Sequence, residues 1–276
     1  METKTIEKKK KKDNVKEKVK EQIKDEFLLQ DDKLKLKIEC EKSVLKSLID
    51  KIGGLNDEIS LSVTKQGFNV RQVDVSQVAM VDMTIKKLAF DSYRVSHECK
   101  FGMNLITLGK HLKAHGTDIT IENGTNQLLF KGESGLQNKM GLLPVLDTEV
   151  KIPNIKYSVE AKVKARNIRK MIDVASDFGS DALKFIIQDN QFIILVDIDT
   201  DQVRFPICSV NRLDDSKGNF ESLYSVDYLQ LVTNFDDSDT IFVRFGKDIP
   251  INFEFEDSKR KYWYLLAPRI ESDDSE

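Results

Sequence analysis

Two histidines four residues apart, His111 and His115, fall on one face of a helical pattern, the spacing with which two imidazoles share a metal ion. No carboxylate or cysteine lies near them in sequence to complete a coordination shell. His97 and Cys99 flank Glu98 in an extended stretch, where neighbouring side chains point to opposite faces and a Cys–His–carboxylate cluster does not assemble. Neither G-x-x-x-x-G-K-[ST] nor G-x-G-x-x-G occurs, which leaves no phosphate cradle. The acidic pairs Asp31-Asp32, Asp214-Asp215 and Asp236-Asp237 read as loop solvation. The expectation is a protein without catalytic residues, metal site or cofactor.

The remaining chemistry is electrostatic. Four helical segments can be read, and three carry more base than acid. Lys42, Lys46 and Lys51 oppose Asp50 in the first; Lys110 and Lys113 stand without an acid in the second. Lys164, Arg166, Arg169 and Lys170 oppose Asp173 and Asp177 in the third, while the fourth has only Asp227. The whole chain balances 43 Lys and Arg against 46 Asp and Glu, net charge -3. Basic helices on an otherwise acidic body are the footprint of a surface that meets nucleic acid. No helix-turn-helix, zinc-finger or RNA-recognition signature accompanies them, so the expected contacts are to phosphates, without sequence preference.

These helices recur in a repeat. Around Val44 the chain reads VLKSLIDKIGG, an apolar 3.6-residue pattern closed by Gly53-Gly54, followed by two alternating strands, EISLSV and FNVRQV, around Lys65-Gln66-Gly67. The same order returns from Leu105, from Ile168 and from Tyr228, at spacings of 61, 63 and 60 residues. A length of 276 residues suits two domains, each a pair of helix-plus-hairpin units. The class is α+β, with antiparallel sheets and the helices gathered on one face. Between the domains, residues 142–157 contain Pro144 and Pro153 and read as an ordered, extended connector.

The first 37 residues hold 13 Lys against 9 acids, including Lys8 to Lys12 in a row. Residues 1–32 are expected to be a disordered lysine-rich extension, and 272–276 an acidic tail. Three cysteines without C-x-x-C spacing point to a reducing compartment. No apolar run reaches the length of a membrane span, and no signal peptide is evident; no membrane partner is expected.

GFNVRQVDVSQVAMVDM (67–83), GMNLITLGKHLK (102–113), KIPNIKY (151–157) and YLLAPRIE (264–271) occur in the order of the proliferating cell nuclear antigen family of DNA sliding clamps, which the chain resembles from about Leu34 to Glu271. The connector and the LAPRIE ending are similar to archaeal members. The resemblance implies two similar domains, 33–141 and 158–271, each a doubled βαβββ unit, with sheets outside and helices lining a ring of three subunits around duplex DNA. It implies a non-enzymatic processivity factor that tethers DNA polymerase and other replication and repair proteins, with clamp loader, flap endonuclease and DNA ligase as further partners. The compartment is the nucleoid-containing cytoplasm for an archaeal source and the nucleus for a eukaryotic one. A heterotrimer subunit, a clamp specialised for repair or checkpoint duty, and a simple non-ring DNA-binding protein are the alternatives.

By resemblance, DNA faces Lys46, Lys51, Lys110, Lys113, Arg166, Arg169 and Lys170. Client proteins enter an apolar pocket under the connector with a short helical turn. Its matching residues are Val73, Gln77, Val78 and Met80, then Val150, Ile152 and Tyr157, then Ile249, Pro250, Ala267 and Pro268. Subunits meet through the edge strands at 136–142 and 202–208, with Met140, Leu142, Val203 and Phe205, sealed by Met171, Ala175 and Phe178; Pro206 removes one donor from that contact.

Overall fold

The computed structural model describes residues 36–146, 150–198, 200–214, 218–233, 235–236 and 239–270. The N-terminal extension and the acidic tail lie outside the described residues.

The chain runs four times through strand, helix and three strands. The first unit is β1 (Leu36–Glu41), α1 (Lys42–Ile52), β2 (Glu58–Thr64), β3 (Gly67–Val73) and β4 (Ala79–Lys86), followed by a short strand β5 (Ser92–Val95). The second is β6 (Cys99–Asn104), α2 (Leu105–Lys113), β7 (Asp118–Asn123), β8 (Gln127–Gly132) and β9 (Gln137–Gly141). The third is β10 (Val159–Lys164), α3 (Ala165–Asp177), β11 (Ala182–Gln188), β12 (Gln191–Ile198) and β13 (Asp201–Ser209), then the two-residue β14 (Asn211–Arg212). The fourth is β15 (Phe220–Ser225), α4 (Val226–Leu229), β16 (Thr240–Phe245), β17 (Ile251–Glu256) and β18 (Arg260–Leu266). The last helix is shorter than its periodicity suggests, because one 3₁₀ turn, Gln230–Thr233, takes over after Leu229.

Each unit lends its first strand to another unit's sheet. The five-stranded sheet is ordered β5-β1-β7-β8-β9 and the four-stranded one β13-β12-β11-β15. The nine-stranded sheet, β14-β10-β16-β17-β18-β4-β3-β2-β6, crosses from one half of the chain to the other at β18 and β4, paired from Arg260↔Ile85 to Leu266↔Ala79. Within strands such as β2, burial alternates, so apolar residues enter the core and polar ones face out. The helices pack on the inner face and close one continuous core.

Two glycines show how tightly helices and sheets approach. A Cβ on Gly54 would sit 2.3 Å from Leu231 of the 3₁₀ turn, so the end of α1 touches the second half only because that position is bare. Gly102 on β6 faces the Leu143 and Pro144 carbonyl oxygens, each 2.5 Å from where its Cβ would be, and thereby admits the start of the connector.

Candidate nucleic-acid interface and docking surface

α1 and α2 each bury one apolar stripe, Leu45, Leu48 and Ile52 on the first and Leu105, Leu108 and Leu112 on the second. Asn104 caps α2 by accepting the Thr107 N–H at 2.9 Å. The two helices lie side by side: Lys42 Nζ donates to the His115 carbonyl at 3.0 Å. Their opposite faces expose Lys46, Lys110 and Lys113. On α3, Arg166 and Lys170 are exposed among Asp173 and Asp177. The Lys170 ammonium sits 4.9 Å from the Phe205 ring, which ties the outer side of α3 to edge strand β13.

Two of the expected DNA-facing residues are corrected by their surroundings. Lys51 is 3% exposed, with its ammonium 3.3 Å from the Phe235 ring centroid and 5.4 Å from that of Tyr262. Burial, reinforced by the Arg260 charge, pulls its pKa down to about 7. It joins the two halves instead of facing out, because the last turn of α1 ends against the second half. Arg169 is half-buried and donates from Nη2 to the Phe235 carbonyl, so it braces the same loop.

Asp74 organises the rim of the docking surface. Its Oδ1 accepts the Val78 and Ala79 N–H groups at 2.7 and 2.8 Å, and its Oδ2 accepts the Tyr228 hydroxyl at 2.8 Å. The turn places Gln77 in the left-handed region at φ 58°, with its side chain exposed. Ala267 N–H donates to the Val78 carbonyl at 2.8 Å, which brings Ala267 beside Val78 at the seam between halves. Ile249 packs at Gly246, where Ser158, the residue after Tyr157, also approaches. Pro250 and Tyr157 are half-buried, and burial pushes the Tyr157 hydroxyl up to about 12. Ile152 is exposed and Val150 half-buried on the connector. Met80 is corrected: it is 5% exposed, and pairs with Val73 on the face of β4 that also carries Asp82, opposite the core residues Val81 and Met83, and so lies beneath this surface instead of opening onto it.

The expected subunit contacts divide likewise. β9 and β13 are sheet edges, each with one partner strand among the described residues. Leu142, Val203 and Phe205 are half-buried and Phe178 is 49% exposed. Met140, Met171 and Ala175 are corrected to core positions, at most 1% exposed, because they lie on the apolar stripes that β9 and α3 turn inward. Pro206 pairs with Ile193 beside a register shift in β13, the kind of irregularity at which a strand proline is accommodated. His111 and His115 both lie against the Phe130 ring, and among the described residues no group of three His, Cys, Asp or Glu side chains could hold a metal.

Residues 33–140 match the family model for the proliferating cell nuclear antigen N-terminal domain. The DNA polymerase sliding clamp of Thermococcus onnurineus is 26% identical over 234 residues, covering 81% of this chain and 94% of the relative. That of Methanosarcina barkeri is 29% identical over 246 residues, covering 86% and 99%. Along its body the chain is thus similar to the DNA sliding clamps of the proliferating cell nuclear antigen family. A. fulgidus PCNA, solved with the C-terminal region of FEN-1 bound, superimposes with a TM-score of 0.76 at 25% identity, over 86% of this chain and all of that one. The family is one of non-catalytic processivity factors.

The residues that sequence reasoning missed around the expected docking surface are Asp74 and Tyr228. Asp74 had a legible signal, an aspartate opening the four-residue turn that ends at Gln77. Tyr228, 154 residues away, had none.

Proposed function

We propose that this chain is a subunit of a DNA sliding clamp in which three subunits close head to tail, β9 of one pairing with β13 of the next, around duplex DNA. What carries the reading is its similarity to the sliding-clamp family together with two open antiparallel edges in different sheets, which suit a heterologous contact that closes by rotation. Grip on DNA then comes from topology, so scattered contacts from Lys46, Lys110, Lys113, Arg166 and Lys170 suffice, and their lack of sequence preference permits sliding. DNA polymerase, flap endonuclease, DNA ligase and the clamp loader dock at the surface around Val73, Val78, Ile152 and Ala267, and the protein itself catalyses nothing. Its compartment is that of the DNA it encircles.

Light scattering across a concentration series tests this. A species of about 95 kDa, three chains of 31.6 kDa, supports a self-sufficient ring, and such a ring is retained on circular DNA but slides from linear ends. A persistent monomer favours the heterotrimer reading, for which the exposed Asp173 and Asp177 on the third helix and Asp227 on the fourth are the motivating feature. Equal retention on linear and circular DNA overturns both.

A further inference from the structure

The connector is fastened to the first half by its backbone, while two of its apolar side chains, Leu146 and Ile152, are left outside. Leu143 N–H donates to the Gly102 carbonyl at 2.8 Å. The Ser60 hydroxyl accepts the Leu146 N–H at 3.0 Å and reaches the Leu146 carbonyl at 3.2 Å. Arg71 Nη1 donates to the Val150 carbonyl at 3.1 Å. Meanwhile Leu146 and Ile152 are 54% and 45% exposed. A strap held by apolar burial would have spent those side chains on the body; this one keeps them available.

Of the three fasteners, Arg71 is the one on a long side chain, and that side chain is aimed. It lies opposite Asp82 in the β3–β4 register. Its Nε donates to Asp82 Oδ2 at 2.7 Å, and Nη2 donates to the same oxygen. The Asp82 carboxylate is largely buried, and its other oxygen accepts from Asn69 Nδ2 at 2.8 Å. The guanidinium fork is therefore fixed by a carboxylate that is itself fixed, and its remaining arm holds the strap. Val73 lies two residues on, on the same face of β3, so clasp and pocket wall share one strand.

We propose that Arg71, aimed by Asp82 and Asn69, is the positioning residue that sets the connector over the β3–β4 ladder and thereby the affinity of the docking surface for an apolar client peptide. The inference rests on the docking reading above. Releasing the Val150 carbonyl frees the strap to sample other positions, and each client must then order it again on binding.

The test uses the full chain and a fluorescent synthetic peptide of the A. fulgidus FEN-1 C-terminal region as probe. Arg71→Ala is expected to bind it about tenfold more weakly, the loss of one charge-assisted hydrogen bond. Arg71→Lys, which cannot serve Asp82 and Val150 together, recovers part of that loss. Asp82→Asn weakens binding, and adding it to Arg71→Ala costs nothing more, because the two act as one device. Hydrogen exchange in Arg71→Ala should quicken over residues 150–157 and stay unchanged in β2–β4, with Tm and mass as in the parent. Unchanged affinity or connector exchange in Arg71→Ala overturns the proposal, as does faster exchange across β3 with a lower Tm, which marks a purely structural ion pair. A parent protein that fails to bind the peptide overturns the docking reading and the clasp with it; the exchange comparison identifies which of the two failed first.

Discussion

Leu61 and Phe185 hold matching places in the two halves of the molecule, each the middle buried residue of the strand after the first helix, yet their surroundings differ. Phe185 meets four aromatic rings, Phe192, Tyr224, Phe245 and Phe253, with centroids 5.3 to 6.5 Å away. Leu61 sits among mainly aliphatic residues beside a cavity of about 20 Å³ lined by Leu36, Leu45, Leu48 and Phe130, among others. Repetition of a backbone does not require repetition of its packing. Around Phe185 interlocked rings add edge-to-face contacts to area burial, whereas around Leu61 mainly branched chains leave a small void.

The largest effect should come from breaking the aromatic half. Phe185→Ala is expected to cost about 3–5 kcal/mol, and Leu61→Ala less, about 2–3 kcal/mol, since it removes fewer atoms. Urea denaturation of both variants measures the contrast; equal costs would overturn it.

Next comes the edge of the second half. Phe178→Asp places a charge on the exposed apolar residue at the end of α3 and is expected to shift the light-scattering mass from about 95 kDa to the 31.6 kDa chain. A ring that survives this change excludes Phe178 from the subunit contact.

At the junction of the halves, Lys51 gives a pH signature. Its ordinary value is 10.5, and in the folded protein it is about 7. Below pH 7 folded and unfolded chains both hold the proton, so the cost of burying the charge is fully present. Between pH 7 and 10.5 only the unfolded chain holds it, and stability therefore rises with pH until the cost is gone. Replacing Lys51 with Met should flatten that rise, roughly a few kcal/mol across the window, with little loss at neutral pH. A slope that persists in the variant would assign it to another group.

The smallest effect belongs to the basic face of the first half. Lys110→Ala and Lys113→Ala should each lower the salt slope of DNA binding by about 1. Asp173→Lys, on the mixed face of the second half, should raise it by a similar amount. Equal slopes in all three would place DNA elsewhere.

The repeat was legible because helix and strand periodicities depend only on neighbours along the chain. SLIDKIGG announces a helix and its stop wherever it occurs, and EISLSV and GFNVRQV announce a hairpin. The four units, their order and the connector followed from such patterns. Side-chain destinations were less legible. Lys51 reads as one more helix lysine, and Met171 and Ala175 as parts of an apolar seal, because local periodicity identifies a helix face without saying what covers it. The Arg71 clasp was invisible: its acceptor is a backbone carbonyl 79 residues away, and a backbone acceptor carries no residue-type signal.

The sequence by itself determined the elements, their fourfold repetition, the uneven distribution of charge and the resemblance to sliding clamps, since each resides in residue types at fixed spacing. The tertiary structure alone decided that strands would be exchanged between units, that β4 and β18 would join the halves into one sheet, and that Lys51 would be buried there. Gly54 shows the division: its type marks the end of a helix, but its need to be glycine arises from Leu231, brought to within a Cβ's reach by the fold. Contacts between residues far apart in the chain depend on how whole surfaces fit, and shape complementarity is a property of the packed molecule rather than of any segment.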